Sequence, residues 1–268
     1  MSFVILLAKI YIVILLFRFV ATKQELMFNP VGKIVAAATD PIMPKKRAAN
    51  IIPLYIFLLV IVTSLLNSLA SDIMIFGYKL IYSVMDYLEF FMLLFIVSMI
   101  LGSFGNRPIG GGFVAYFFRL GLPWVRLTRV FIPINSGKII FPAIIFVFLI
   151  YVSVSFLLAV VYKVIAFKDM GNVLTLLLFP VTHGARAVFG LMFYMSFLIL
   201  VRALISWVSP DPRNIIVQLL YTVTEPILEP LRKIIPPIGF LDVSALVAMI
   251  ALNLCGQLLR NLVPLVNL

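Results

Sequence analysis

Apolar residues run through this chain in long blocks, separated by stretches that carry most of its Lys, Arg and Pro. A helix needs about 20 mostly apolar residues to cross the hydrocarbon of a bilayer. Six blocks come close to or exceed that length: Phe3–Val20, Ile51–Ala70, Met85–Phe104, Ile139–Phe167, Val188–Val208 and Leu241–Leu262. Two of the connections, 71–84 and 168–187, are poor in Pro and rich in apolar residues, and are expected to lie along the outer membrane face. The other three, 21–50, 105–138 and 209–240, are longer and basic. The predicted order is therefore span, basic connection, span, three times over.

The basic connections are not simple loops. Between Asn214 and Ile235, Ile216, Leu219, Leu220, Val223, Ile227, Leu231 and Ile234 recur at helical spacing. Asp211 can cap such a helix, with Pro212 at its first position. Glu229 stands three before Arg232 and four before Lys233, a favourable order on one helix face. Pro226 and Pro230 must bend it. Residues 113–131 repeat the pattern with Arg119, Arg126 and Arg129. Each is expected to be an amphipathic helix on the membrane surface, apolar face toward lipid and cations toward anionic headgroups.

Spacing supports an internal repeat. Taking Pro41, Pro123 and Pro226 as reference points, a polar residue near the end of the preceding span lies 23 before the first (Arg18), 25 before the second (Ser98) and 24 before the third (Arg202). A further proline follows ten later at Pro133 and Pro236. The fold class expected is an all-α integral membrane protein. Its six transmembrane helices form three repeated helical hairpins, each with a basic interfacial helix between its spans. The copies fall at 1–70, 71–167 and 168–268.

Composition removes the water-soluble alternative. The chain is 64% hydrophobic and only 12% charged, against roughly 45–50% and about 25% in soluble domains. Its net charge of +11 is distributed unevenly. The three long connections hold 13 of the 21 Lys and Arg residues. The positive-inside rule then places those connections in the cytoplasm and both termini outside. The basic arms with interleaved aromatics of a nucleic-acid binder are absent. One Cys and one His leave a metal or cofactor site within the chain without a ligand set.

The third copy carries the clearest motifs: Arg202-Ala-Leu-Ile-Ser-Trp207, Thr224-Glu-Pro226, Arg232-Lys-Ile-Ile-Pro-Pro237 and Leu241-Asp-Val-Ser244. It resembles the repeat of the YggT (YlmG) family of small integral membrane proteins. The middle copy is similar in outline, without the Glu and Asp, and the first is the most diverged. Typical members carry two copies, and three are expected here. The resemblance implies a bacterial inner membrane. It also implies roles of the kind linked to bacterial members, osmotic stress and potassium homeostasis, or to plastid relatives, nucleoid distribution and cytochrome-complex maturation.

The candidate residues each have a plain and a sharper reading. Arg202 and Arg18, near span ends, are snorkelling anchors or buried functional charges. Asp242 and Ser244 open the sixth span, where Asp242 suits an N-cap. Pairing of Arg202 with Glu225 or Asp242 is the sharper possibility. Asn253, Gln257 and Asn261 recur every four residues and form interhelical hydrogen bonds or line a polar path. Ser64 and Asn67 add little to such a path. Pro226 and Pro236 punctuate the basic segment, and Arg232 and Lys233 supply its cations. His183 reads as a surface residue without a carboxylate partner, Gly110 to Gly112 as a turn, and Cys255 as packing. No nucleophile–base pair or paired catalytic carboxylates occur, so a non-enzymatic protein is expected. Two functions stay open. One is a scaffold or assembly factor that binds anionic lipid and membrane-protein partners or its own copies. The other is an accessory to, or weak pathway for, potassium or osmolyte movement.

Overall fold

A computed structural model describes residues 3–42, 48–69, 73–102, 112–133, 139–167, 172–207, 211, 214–235 and 242–263. The described elements are helices: α1 (Phe3–Val20), α2 (Lys23–Phe28), α3 (Pro30–Thr39), α4 (Ala48–Leu69), α5 (Ile73–Gly102), α6 (Gly112–Phe131), α7 (Ile140–Phe167), α8 (Val173–Trp207), α9 (Ile215–Ile234) and α10 (Val243–Leu262). Six of them, α1, α4, α5, α7, α8 and α10, are long and apolar enough to cross a membrane.

Their surface is the reverse of a soluble protein's. Phe57, Leu157 and Phe193 stand 61%, 61% and 57% exposed, while Ser64, Ser68, Ser98 and Ser155 are fully buried. In hydrocarbon, apolar side chains gain nothing by burial, so small and polar residues gather between helices instead. Asn67 of α4 donates to Ser83 of α5 at 2.8 Å, and Thr63 and Tyr87 share a hydrogen bond of 2.7 Å across the same pair. Asn67 therefore joins two spans, a larger part than its sequence position predicts.

The long helices pack in order. α1 lies on α4, α4 on α5, α5 on α7, α7 on α8 and α8 on α10. The shorter helices fill one end. α3 and α6 meet α1 in a cluster of Phe17, Val31, Val35, Tyr116 and Leu120, and α9 packs on α8 and α10. Glycines permit the closest approaches. A Cβ at Gly102 would lie 2.9 Å from the Phe118 backbone, and one at Gly121 would lie 3.0 Å from Met99 Cα.

Two sequence expectations are corrected. Residues 73–84 and 173–187 are not separate segments on a membrane face; they are the first turns of α5 and α8. α8 has 35 residues, about 52 Å at 1.5 Å per residue, well beyond a hydrocarbon core of about 30 Å. Pro180 sits inside it, and such a break is tolerated where neighbouring helices satisfy the freed backbone. The second correction concerns α9. Its cap is Asn214, whose side chain accepts from Ile216 N at 2.9 Å, rather than Asp211. Asn214 is the residue directly before the first helical turn, where an Asx side chain reaches the free N–H groups.

Candidate functional site

The third inter-span helix is fastened to its flanking spans by charges. Val217, Leu220, Thr224 and Leu228 of α9 are buried at spacings of three and four. Leu228 joins Ile199 of α8 and Ala245 and Ala248 of α10 in one cluster, with Ile227 and Leu231 beside it. The stripe read from the sequence is offset from this one: Leu220 is common to both, Leu219, Val223, Ile227 and Leu231 are half-buried, and Ile216 and Ile234 are exposed. The small Ala245 and Ala248 leave room for the α9 side chains that are buried.

Along the same face runs an alternating chain of charges. Arg202, 5% exposed, contacts Glu225 at 2.5 Å and donates to Thr224 Oγ1 at 2.8 Å. Its guanidinium lies 4.0 Å from the centroid of the Tyr221 ring. Glu225 also accepts from Arg232 at 2.9 Å. Arg232 in turn donates to Asp242 at 2.7 Å. Asp242 accepts a very short hydrogen bond from Ser244 and caps α10 through Ala245 N. Burial opposes the charge of Asp242, but the hydrogen bonds from Ser244 and Arg232 outweigh it and hold the carboxyl below its ordinary range.

The sequence candidates are thus resolved individually. Arg202 does not snorkel, since it is buried and its charge is met within the protein. Its partner is Glu225. Asp242 pairs with Arg232, which reaches both carboxylates from the last turn of α9. Lys233 is exposed and stands 3.5 Å from Glu229. Pro226 lies within α9, and Pro236 lies outside the described residues. Asn253 donates to Ser196 of α8 at 2.5 Å, so this member of the polar stripe joins two helices. Gln257 and Asn261 are exposed.

A smaller version recurs near the first connection. Arg18 of α1 donates to Thr39 and, at 2.6 Å, to Asp40. Thr39-Asp40-Pro41 and Thr224-Glu225-Pro226 place the same groups before the same proline. Before Pro123 stand Gly121 and Leu122, with Ser98 lying 25 residues before that proline. There the bare Gly121 lets the helices touch, and no charge has to be met.

A third charged group joins the first two inter-span regions. Arg119 of α6 donates to both carboxylate oxygens of Glu25 in α2, at 2.6 and 2.7 Å. Glu25 also closes a capping box with Thr22. Hydrogen bonds from Arg119 pull the Glu25 carboxyl down from 4.5 to about 2. Because the folded value is the lower one, the resulting stability is complete above about 4.5 and is lost as pH falls toward 2. The unfolding midpoint of the wild type in a non-ionic detergent is expected to fall more steeply across that interval than that of Arg119→Gln. Parallel curves would show that the pair contributes nothing.

Sequence reading missed a fourth group. Lys9 of α1 reaches Asp86 of α5 at 2.8 Å, with Tyr87 and Phe90 rings 5.6 and 5.4 Å from its ammonium. One turn on, Glu89 lines a cavity of about 370 Å³ with His183 and Arg186. His183 therefore shares space with carboxylates, and its ring centroid lies 4.3 Å from that of Phe179, the two planes tilted by 37°. It is half-buried, not the isolated surface residue expected. The available signal was slight: Asp86 and Glu89 are acidic residues in the first turns of the block that begins at Met85, and only the earlier start of α5 puts them inside a spanning helix, where such groups need partners. Among the described residues no group of three or more potential ligands is placed to hold a metal ion.

Residues 184–263, from the middle of α8 through α9 to the end of α10, match the CCB3/YggT family model. An uncharacterized protein of Vibrio alginolyticus is 40% identical over 78 residues, covering 29% of this chain and 40% of that relative. An uncharacterized protein of Pseudomonas aeruginosa is 38% identical over 65 residues, covering 24% and 33%. The chain thus spans less than half the length of these relatives. No solved structure matches. The charge network from Arg202 to Asp242 lies wholly inside the matched residues.

Proposed function

We propose that this multi-pass membrane protein is a non-enzymatic scaffold of the inner membrane, built from three YggT-like copies. In this reading its inter-span helices share the cytoplasmic leaflet and hold anionic lipid and membrane-protein partners. The observation that carries it is the mixed surface of those helices. In α6, Arg126 and Arg129 are exposed beside Leu127, Val130 and Phe131. Near the first connection, exposed Lys23 and Lys33 accompany Met27, Phe28 and Ile34. Lys233 accompanies Ile234. Cations next to exposed large apolar groups fit the headgroup layer, where each Lys or Arg contributes about 1 kcal/mol toward anionic lipid.

Native mass spectrometry of the full chain in mixed micelles tests this. Phosphatidylglycerol is expected to be retained about fivefold or more over phosphatidylcholine, an advantage lost in the triple variant Arg126→Glu, Arg129→Glu, Lys233→Glu. Equal retention of the two lipids by the wild type would overturn the reading.

A second reading, an accessory to or weak pathway for potassium or osmolyte movement, is favoured by one observation. A second cavity, of about 380 Å³, is lined by Arg186, Asn253, Gln257, Arg260 and Asn261, so the exposed part of the α10 polar stripe borders open space. Liposomes containing the chain that pass neither potassium nor a neutral osmolyte under a gradient would remove its direct form.

A further inference from the structure

The cavity beside Glu89 lies at the end of the bundle opposite α9, between α5, α7, α8 and the last turn of α10. Its charges are committed unevenly. Asp86 is met by Lys9. Glu89 has no hydrogen bond or ion pair among the described residues, although it sits within a spanning helix and faces the cavity. On the opposite wall, Arg186 donates from Nη1 to the carbonyls of Arg260 and Val263, both at 2.8 Å, and so holds the C-terminal end of α10. A guanidinium carries five N–H donors; the two described hydrogen bonds of Arg186 use Nη1 alone, and the residue lines the cavity. Glu89 and Arg186 thus face one cavity from two helices without forming an ion pair with each other.

This arrangement selects by charge. A bare cation drawn to Glu89 meets Arg186 and Arg260. A bare anion drawn to Arg186 meets Glu89 and Asp86. A molecule with a positive and a negative end satisfies both walls. Tyr82, Phe193 and Tyr194 also line the cavity and are exposed, and such aromatic surface suits an ammonium group and its methylene chain. The volume of about 370 Å³ falls within the range of small-molecule sites, about 300–1,000 Å³. We propose that this cavity binds a small zwitterion, its ammonium against Glu89 and its carboxylate against Arg186. A scaffold and a transport accessory can each hold such a site, so the inference does not depend on either reading above.

Equilibrium dialysis of the full chain in lipid nanodiscs at neutral pH tests it with glycine, β-alanine and 4-aminobutyrate, whose end charges are progressively farther apart. Propylamine and propionate serve as the two half-ligands. One amino acid of the series is expected to bind at least about tenfold more tightly than either half-ligand, because a hydrogen bond to each charged wall is gained together. Glu89→Gln is expected to lose about tenfold or more of that affinity while its thermal unfolding midpoint does not fall, since Glu89 forms no described hydrogen bond or ion pair that the change would remove. Arg186→Gln is expected to lose as much, and where it also loosens α10 the Glu89 variant decides. A series in which no zwitterion exceeds the half-ligands, or a Glu89→Gln variant that binds as the wild type does, overturns the proposal.

Discussion

Replacing Arg202 with Met is expected to lower the unfolding free energy by about 3–5 kcal/mol, measured by denaturation in mixed detergent micelles. Removing Arg202 takes the nearer of two cations from Glu225, which keeps only Arg232 at 2.9 Å, and that under-compensated carboxylate is the source of the cost. Arg202 and Glu225 side chains are 6% and 18% exposed, so water offers little relief. Glu225→Gln is expected to cost at least as much, because it leaves the more deeply buried Arg202 with only the Thr224 hydroxyl and the Tyr221 ring and also takes a partner from Arg232. The double variant is expected to fall short of the summed penalties by about 1 kcal/mol or more, the signature of direct coupling. Arg18→Met provides the internal comparison. Its partner Asp40 is 46% exposed, and a solvated carboxylate left alone costs far less. A loss at Arg202 no larger than that at Arg18 would mean that Arg202 reaches water after all. A simple charge reversal is a weaker test, since Glu225→Arg would place a cation beside Arg232 and introduce its own repulsion.

That contrast marks what the sequence could reveal. α1, α4, α7 and α10 follow from block length alone, to within about three residues at each end, because a block of apolar residues in hydrocarbon has few alternatives to a helix. The starts of α5 and α8 do not follow. Lys79 in one, and Pro180, His183 and Arg186 in the other, read as interruptions. Arg186 belongs inside α8 because the end of α10 lies against it and offers two carbonyls, a partner 74 residues away that no local pattern announces. Within the matched residues, the motif residues Arg202, Glu225, Arg232 and Asp242 were all visible as candidates. The Arg202–Glu225 pair was one of two alternatives the sequence offered, but the links from Arg232 to Glu225 and Asp242 were not legible, because Arg232 reaches two carboxylates while Asp242 also caps a helix. The apolar stripe of α9 was legible as periodicity, but periodicity does not say whether protein or lipid covers it.

Lys9→Met is expected to have an effect of the same order as the Arg202 change, about 3–5 kcal/mol, for a reason placed at the other end of the bundle. Asp86 and Glu89 lie three residues apart in α5, so they occupy one helix face, and Lys9 is the cation held against the first of them. Without it, two carboxylates remain near each other inside a spanning helix. Adding Asp86→Leu to Lys9→Met is expected to restore most of the loss, since removing both charges also removes the cost of desolvating them. The order of the three proteins separates the explanations. If only the bulk of the Lys9 side chain mattered, the apolar Met would replace most of it and the single variant would be nearly silent. If the ion pair matters, the single variant is the least stable and the double variant recovers. A double variant as unstable as Lys9→Met would instead show that Asp86 has a second obligation in this end of the bundle, and would remove the Lys9–Asp86 contact as the tie between α1 and α5.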